Sequence, residues 1–312
     1  MKKLNRFCVW GDSIIKFLLV LGTVGLFSCV RSNIGQQQSI SVNTSQKDKS
    51  QIVNGHVVDD LAVNPYNSVV GLYDTKEGFL CTGTLITSST VLTAAHCIEK
   101  KGRNLIVIFG KDAYDIADHT FDPDYAAQFR RATGVLVHPD YDYSGQKEYE
   151  INDLALVYLE GELPDGFSPA EMSDSVPEIG QIVSMVGYGV SQVDMDPFDG
   201  RRVPNIYTLI EQGSVYCSDE TFEHCFKLDF SGDGILRATE TPDIMNVLET
   251  EFVVNETKSG TCSGDSGGPV FKIKDGHYFI AGITSRGPVT CNIDGVYTRV
   301  DSFLPWIIDH IK

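Results

Sequence analysis

The sequence predicts an all-β protein, a sandwich or a barrel, and three observations carry that prediction. Its apolar residues come in short runs such as SVVGLY, GTLITSSTVLTAA, NLIVIFG, LALVYLE and QIVSMVGYG, rich in valine, isoleucine, glycine and tyrosine. Glycine, proline and aspartate break these runs at the spacing expected of turns between short strands. No long amphipathic stretch occurs before the last dozen residues. The 261 residues from Ile52 to Lys312 are an ordinary length for one all-β domain.

Taken in order, the chain opens with a basic stretch, MKKLNRFCVWGDSIIK, followed by FLLVLGTVGLF, an apolar run of eleven at residues 17–27. Eleven residues are too few to cross a bilayer as a helix but match the core of an export signal. Residues 1–28 are therefore expected to be a signal peptide, with an uncleaved membrane anchor as the alternative. LFSC at 26–29 resembles a bacterial lipoprotein box, in which Cys29 would become the lipidated first residue, although Phe27 departs from the small or β-branched residue usual there. Residues 29–51 are polar, rich in serine and glutamine, and read as a disordered tether or pro-segment. The folded domain is expected over 52–312.

From Ile52 onward 18 lysines and arginines face 40 aspartates and glutamates, a net charge of −22. Such a surface repels nucleic acid and suits solubility outside the cell. The expected location is secreted or cell-surface, with an outer-membrane lipoprotein as the form that Cys29 would give. A membrane partner would come only through that lipid or the uncleaved leader. Of the eight cysteines two lie in or at the leader, leaving six at 81, 97, 217, 225, 262 and 291. In an exported domain they suggest three disulfides, which counting alone could arrange in fifteen ways. There is no CxxC and no His/Cys cluster at zinc spacing, so neither a metal nor a cofactor is expected.

The chemistry concentrates in TCSGDSGGPV at 261–270, where Asp265 directly precedes Ser266 and glycines stand at 264, 267 and 268. A serine hydroxyl is a weak nucleophile at neutral pH and needs a histidine, usually held by a buried acid. Of the seven histidines, His56, His119, His224 and His277 sit in polar sequence, His138 at a strand end and His310 near the C-terminus. His96 stands apart in STVLTAAHCIEK, where an apolar strand stops on two alanines. For the acid, Asp153 leads into the apolar run INDLALVYLE. Each residue alone also has a bland reading, as a strand cap, a satisfied histidine or a turn serine. Their three neighbourhoods together are what point to a site.

Those neighbourhoods resemble the trypsin-like serine proteases of the chymotrypsin family, here of an exported, bacterial type. The resemblance is carried by IVNG at 52, CTGTLITSSTVLTAAHC at 81, NDLALVYL at 152, GYG at 187, CSGDSGGPV at 262, AGITSRG at 281 and GVYTRV at 295. It implies two six-stranded antiparallel β-barrels with the catalytic groups between them. It also implies a short C-terminal helix, for which DSFLPWIIDHIK offers apolar residues at 303, 304, 307, 308 and 311. By resemblance His96 is the general base, Asp153 its orienter and Ser266 the nucleophile. The backbone N–H groups of Gly264 and Ser266 form the oxyanion hole, and Ser285 touches Asp153. Cleavage before Ile52 would free an ammonium to pair with Asp265. Before that cut Asp265 is expected elsewhere, with the oxyanion turn unformed. The resemblance pairs Cys81 with Cys97 and Cys262 with Cys291, and more weakly Cys217 with Cys225. Residues 230–252 read as an insertion or a remodelled pocket rim.

The same resemblance places the substrate pocket at Gly260, Thr261, Ser285, Arg286, Gly287, Asp294 and Gly295. Glycine at 260, where a trypsin has its acid, with glycines at 287 and 295, implies an open pocket for a large apolar residue before the cut. Burying such a side chain is worth roughly 1.5 to 3 kcal/mol. If Asp294 reaches the pocket, cleavage after lysine or arginine is the alternative. Arg286 stands where the family usually has a tryptophan. Partners are then protein or peptide substrates. Gln51 precedes Ile52 and the nearest base is Lys49, so a separate activating protease is implied. The competing classes are a non-catalytic binding or adhesion module on the same scaffold, and an ester hydrolase.

Overall fold

The structure is a computed structural model that describes residues 52–98, 104–142, 144, 147–240 and 243–312. The expected signal peptide, Cys29 and the tether lie outside the described residues. Two sheets dominate. The first runs in the order Phe129–Arg131, Leu105–Ile108, Val69–Asp74, Phe79–Leu85, Thr90–Thr93, Ala155–Tyr158, Gly134–Val137, all antiparallel. The second follows His56–Val57, Arg237–Thr239, Val183–Gly187, Pro269–Lys274, His277–Arg286, Asp294–Arg299, Glu251–Asn255 and Asp243–Val247, with Glu171–Met172 pairing parallel to His277–Arg286.

The sheets thus hold seven and nine strands, which corrects the expectation of two closed six-stranded barrels. In the first, residues 129–137 are broken into two strands at Ala132 and Thr133. The Ala132 N–H turns to the Leu105 carbonyl and the Thr133 N–H to the Tyr158 carbonyl, so the two halves serve opposite edges. In the second, the short strands His56–Val57 and Glu171–Met172 and the Asp243–Val247 edge extend the count. One contiguous core contains Val70, Leu72, Val91 and Leu156 from the first sheet and Val186, Phe271 and Ile283 from the second. This shared burial is the main term fixing one sheet against the other.

Residues 230–252 are framework rather than an insertion. Arg237–Thr239 pairs with Val183–Gly187, and Asp243–Val247 forms a hairpin with Glu251–Asn255. The extra chain lies earlier, leaving the second sheet at Ser191 and returning at Ser231, where the Ser191 N–H meets the Ser231 carbonyl at 3.0 Å. Between them stand a three-stranded sheet of Gln192–Phe198, Cys225–Ser231 and Val215–Cys217 and the helix Ile206–Glu211. The C-terminal helix spans Val300–His310. It buries Val300, Phe303 and Ile307, while Ile308 and Ile311 face solvent, a narrower apolar stripe than its sequence suggests.

Candidate active site

His96 sits on the 3-10 turn Ala95–Cys97, three residues beyond the strand Thr90–Thr93, and Asp153 lies two residues before Ala155–Tyr158. These strands are neighbours, with Thr93 opposite Ala155. Their pairing alone brings the two side chains to the same end of the sheet. Ala94 and Ala95 are fully buried, so the turn packs tightly where a bulkier residue would push it off the sheet.

The Asp153 carboxylate is held from three sides. Its Oδ1 accepts the His96 backbone N–H at 3.0 Å, and its Oδ2 lies 2.7 Å from His96 Nδ1. Ser285 donates its hydroxyl to the same Oδ2 at 2.7 Å. Burial by itself would raise this carboxyl. The His96 charge and the hydrogen bonds from His96 and Ser285 outweigh it and hold the group below the usual carboxylate range. Because Nδ1 faces the acid, Nε2 is on the far side of the ring, on the side of Cys97 Sγ.

Ser266 reaches this corner on a turn gripped by the first sheet. Thr82 donates its N–H to the Ser266 carbonyl and its hydroxyl to the Gly264 carbonyl, both at 2.9 Å. Cys97 Sγ stands 3.4 Å from the Ser266 carbonyl oxygen and 3.9 Å from His96 Nε2, so both turns abut the Cys81–Cys97 disulfide. Gly264 has φ of +98°, and a β-carbon there would come within 2.9 Å of Gly189 Cα. No side chain fits, which is why the sequence thins to glycine at this point. The other disulfides join Cys217 to Cys225, in the excursion, and Cys262 to Cys291. His96, Cys81 and Cys97 cluster closely enough to suggest metal ligands. The disulfide leaves those cysteines without thiolates.

Asp265 points the other way. In the intact chain its carboxylate is already fully buried, accepting the N–H groups of Gly189 at 2.7 Å and Cys262 at 3.0 Å. That corrects the expectation that it sits elsewhere before cleavage: two backbone donors offset part of the desolvation. They do not offset all of it, and burial pushes this carboxyl up to about 7. Ile52 is buried as well, and its neighbour Val53 bridges to Gly260.

In the pocket region the structure brings Gly260, Thr261 and Gly295 together around a residue that sequence reasoning missed, Glu256. A β-carbon on Gly260 would stand 2.4 Å from Glu256 Cβ, and one on Gly295 would stand 2.7 Å from Glu256 Oε1. The glutamate occupies the space both glycines leave. Its Oε1 accepts the Thr261 N–H at 3.0 Å, the Thr261 hydroxyl at 2.9 Å and the Tyr297 hydroxyl. The space beside Gly260, expected to be free of acid, therefore holds a carboxylate. The sequence signal that could have found it was the pair of glycines, once one asks what fills the space between them.

Gly287 lies against Asp294, its missing β-carbon 3.1 Å from the Asp294 carbonyl oxygen. Asp294 is half-buried at the start of its strand, opposite Asn255, and burial raises its carboxyl. Arg286 is not a bare charge beside the substrate. Its two guanidinium nitrogens meet both oxygens of the fully buried Glu251 at 2.9 Å, and it lies 5.8 Å from the centre of the Tyr149 ring. It also donates to Ser285 Oγ at 3.2 Å, so the ion pair buttresses the hydroxyl that holds Asp153.

A family model described as Trypsin matches residues 52–307. Rat vitamin K-dependent protein C is 29% identical over 273 residues, covering 84% of this chain and 52% of that protein. Mouse kallikrein 1-related peptidase b5 is 29% identical over 248 residues, 75% of this chain and 80% of its own length. Bovine tissue-type plasminogen activator is 26% identical over 280 residues, 83% of this chain and 44% of that protein. The chain thus spans about half the length of the first and third of these relatives. Among solved structures, neuropsin, a serine protease expressed in the limbic system of mouse brain, matches with a TM-score of 0.54 at 22% identity. It covers 79% of this chain and 95% of its own. That match speaks for the fold.

Proposed function

Because the chain belongs to the trypsin family of serine-type endopeptidases, we propose that it hydrolyses peptide bonds through an acyl-enzyme at Ser266 and is switched on by cleavage before Ile52. The observation that carries this is the buried Asp153, bound at once by His96 Nδ1 and Ser285. In this reading Ser266 Oγ bonds to the substrate carbonyl carbon while His96 Nε2 takes its proton. The oxyanion meets the N–H groups of Gly264 and Ser266. Collapse breaks the C–N bond, and His96 returns the proton to the departing amine. Water then repeats the sequence on the acyl-enzyme, restoring Ser266.

The domain assignment belongs to the same proposal: a leader at 1–28, a tether at 29–51 and the protease at 52–312, secreted or at the cell surface. The lipidated Cys29 and the bacterial type rest on the leader sequence alone; the relatives named above come from rat, mouse and cattle. A preference for large apolar residues required a pocket floor without an acid, and Glu256 removes that premise. Gln51 is neither basic nor large and apolar, so a separate activator follows on either specificity.

The test is labelling and turnover of protein cut to begin at Ile52. An organofluorophosphate should modify Ser266 alone, and S266A or H96A should lower peptide turnover by about 10⁴-fold or more. Unchanged turnover in S266A would end the assignment and favour a binding module on this scaffold.

A further inference from the structure

The acid at the pocket floor raises a question that the catalytic corner does not answer. Glu256 is almost wholly buried at the end of the strand Glu251–Asn255. All its hydrogen bonds among the described residues converge on Oε1, from Thr261 and Tyr297, and Oε2 takes none. No lysine, arginine or histidine pairs with it there. A carboxylate desolvated to this degree and bonded on one oxygen only is costly, and burial pushes it up to about 7. The bonds from Thr261 and Tyr297 offset only part of that cost.

Its position suggests what would offset the rest. Gly260 is the sixth residue before Ser266, and Gly295 faces it across the pocket; the Glu256 side chain fills the volume that a side chain at either would need. A carboxylate there stands where a substrate side chain would end, although it arrives from a different place in the chain than an acid at 260 would. Either glycine replaced by a larger residue would collide with it. The two glycines and the glutamate therefore form one arrangement, in which the glycines give Glu256 its room. Thr261 and Tyr297 fix its Oε1 and leave Oε2 to a ligand with hydrogen-bond donors and positive charge. An ammonium or guanidinium meets that description, and charge-assisted bonds are the strong ones. A large apolar side chain would instead leave Oε2 desolvated and unpaired.

We propose that Glu256 selects a basic side chain, lysine or arginine, on the acyl side of the cut, its carboxylate occupying the space left by Gly260 and Gly295. This rests on the endopeptidase reading and deepens it. Asp294 is then a neighbour that adds negative potential rather than the group that meets the substrate.

The experiment uses the full domain cut to begin at Ile52 and matched peptides with Lys, Arg, Phe, Leu or Glu before the scissile bond. The expected result is a higher kcat/KM for Lys and Arg than for Phe and Leu. In E256Q the Lys-to-Phe ratio of kcat/KM should fall on the order of 100-fold, as when one partner of a buried charge pair is removed. D294N should move that ratio much less. Because E256Q could disturb the pocket by itself, the double variant E256A/G260D supplies a second arm. It moves the carboxylate to residue 260 and should recover a preference for Lys or Arg that E256A lacks. Wild-type enzyme that favours Phe or Leu would overturn the proposal, as would an E256Q ratio equal to that of wild type. Organofluorophosphate labelling of wild-type Ser266 separates the two layers. Labelled enzyme with the wrong preference sinks the role of Glu256 alone, and unlabelled enzyme sinks the endopeptidase reading beneath it.

Discussion

The proposed catalytic corner and the proposed pocket floor each bury a carboxylate to about 1% exposure, Asp153 in one and Glu256 in the other. Each receives hydroxyl donors, Ser285 in the first case, Thr261 and Tyr297 in the second. Yet Asp153 is held below the usual carboxylate range, whereas Glu256 is pushed up to about 7. Desolvation is the largest influence on both. The difference is the imidazole of His96, 2.7 Å from Asp153, against no cation at Glu256 among the described residues. Hydroxyl bonds alone do not compensate the burial of a charge; an opposite charge does. Asp265 belongs with Glu256, buried on backbone donors and also at about 7. Glu256 and Asp265 thus lack the close ion pair that Asp153 has with His96, the charge of Arg237 lowering Asp265 only in part. On the proposed activation and specificity, the new N-terminus supplies a cation to Asp265 and the substrate supplies one to Glu256.

The largest effect on this contrast should come from denying Asp265 its cation. Replacing Gln51 by lysine, Q51K, would let a trypsin-like activator release Ile52, and hydrolysis should then appear. Protein cut instead after Lys49 would begin at Ser50, two residues too long for its ammonium to reach Asp265, and should stay inactive. D265A cut at Ile52 should remain roughly 10² to 10³-fold weaker than the parent, the scale of losing one oxyanion donor. Activity in material beginning at Ser50, or full activity in cut D265A, would break the pairing. N-terminal sequencing alongside rate measurements reads both.

The residues of the candidate site were largely legible because their signals are local. TAAHC, NDLALV and GDSGG each encode a turn beside a strand, and the pairing of Thr90–Thr93 with Ala155–Tyr158 then joins His96 to Asp153. What was not legible is what arrives from a distance. Glu256 sits in FVVNETKSG, a stretch that reads as a strand ending in a polar turn, and nothing local says that its side chain turns beneath Gly260 and Gly295. Arg286 reads only as a departure from the family's tryptophan, because its partner Glu251 lies 35 residues away in sequence. The segment 230–252 reads as an insertion or a remodelled pocket rim because of the long gap between Cys225 and Cys262, and cysteine spacing says nothing of the edge strand Asp243–Val247 that the segment forms. The real excursion at 191–231 carries good strand residues of its own and gives no sign of leaving the sheet. The strand break at Ala132 and Thr133 follows from which edge each N–H finds, a property of the assembled sheet.

A smaller effect probes the first half of the contrast. S285A removes one of the bonds on Asp153 Oδ2 while leaving the ring and backbone donors of His96 in place. A hydrogen bond to a charged group contributes about 1.5 to 3 kcal/mol. With the remaining donors able to tighten, kcat should fall about tenfold with KM little changed. The void also loosens Arg286, which donates to the same hydroxyl. S285T, which keeps a hydroxyl, should recover part of the loss. If S285A and S285T lose kcat equally, the hydroxyl bond is not what positions Asp153.

The smallest effect is on stability, and its sign follows from the directions of the shifts. Asp265 and Glu256 both titrate near 7 in the folded intact chain, above the values near 4 of unfolded carboxyls. The folded state therefore holds their protons more tightly. Their contribution is fully present below about pH 4 and is lost as pH rises through about 7. Asp153 works in the opposite sense, since its lowered value gives stability that is present above the unfolded carboxyl range and lost on acidification. In an S266A background, which prevents self-digestion, the intact chain should lose Tm between pH 5 and pH 8 from the two raised groups. Cleavage before Ile52 should narrow that loss by a few degrees, because an ammonium beside Asp265 brings its carboxyl back down and leaves only Glu256 raised. D265N should narrow it likewise in the uncut chain, and cutting D265N should add nothing. Thermal unfolding of the four proteins at the two pH values decides the matter: equal pH dependence in intact and cleaved S266A would mean that the new N-terminus does not reach Asp265.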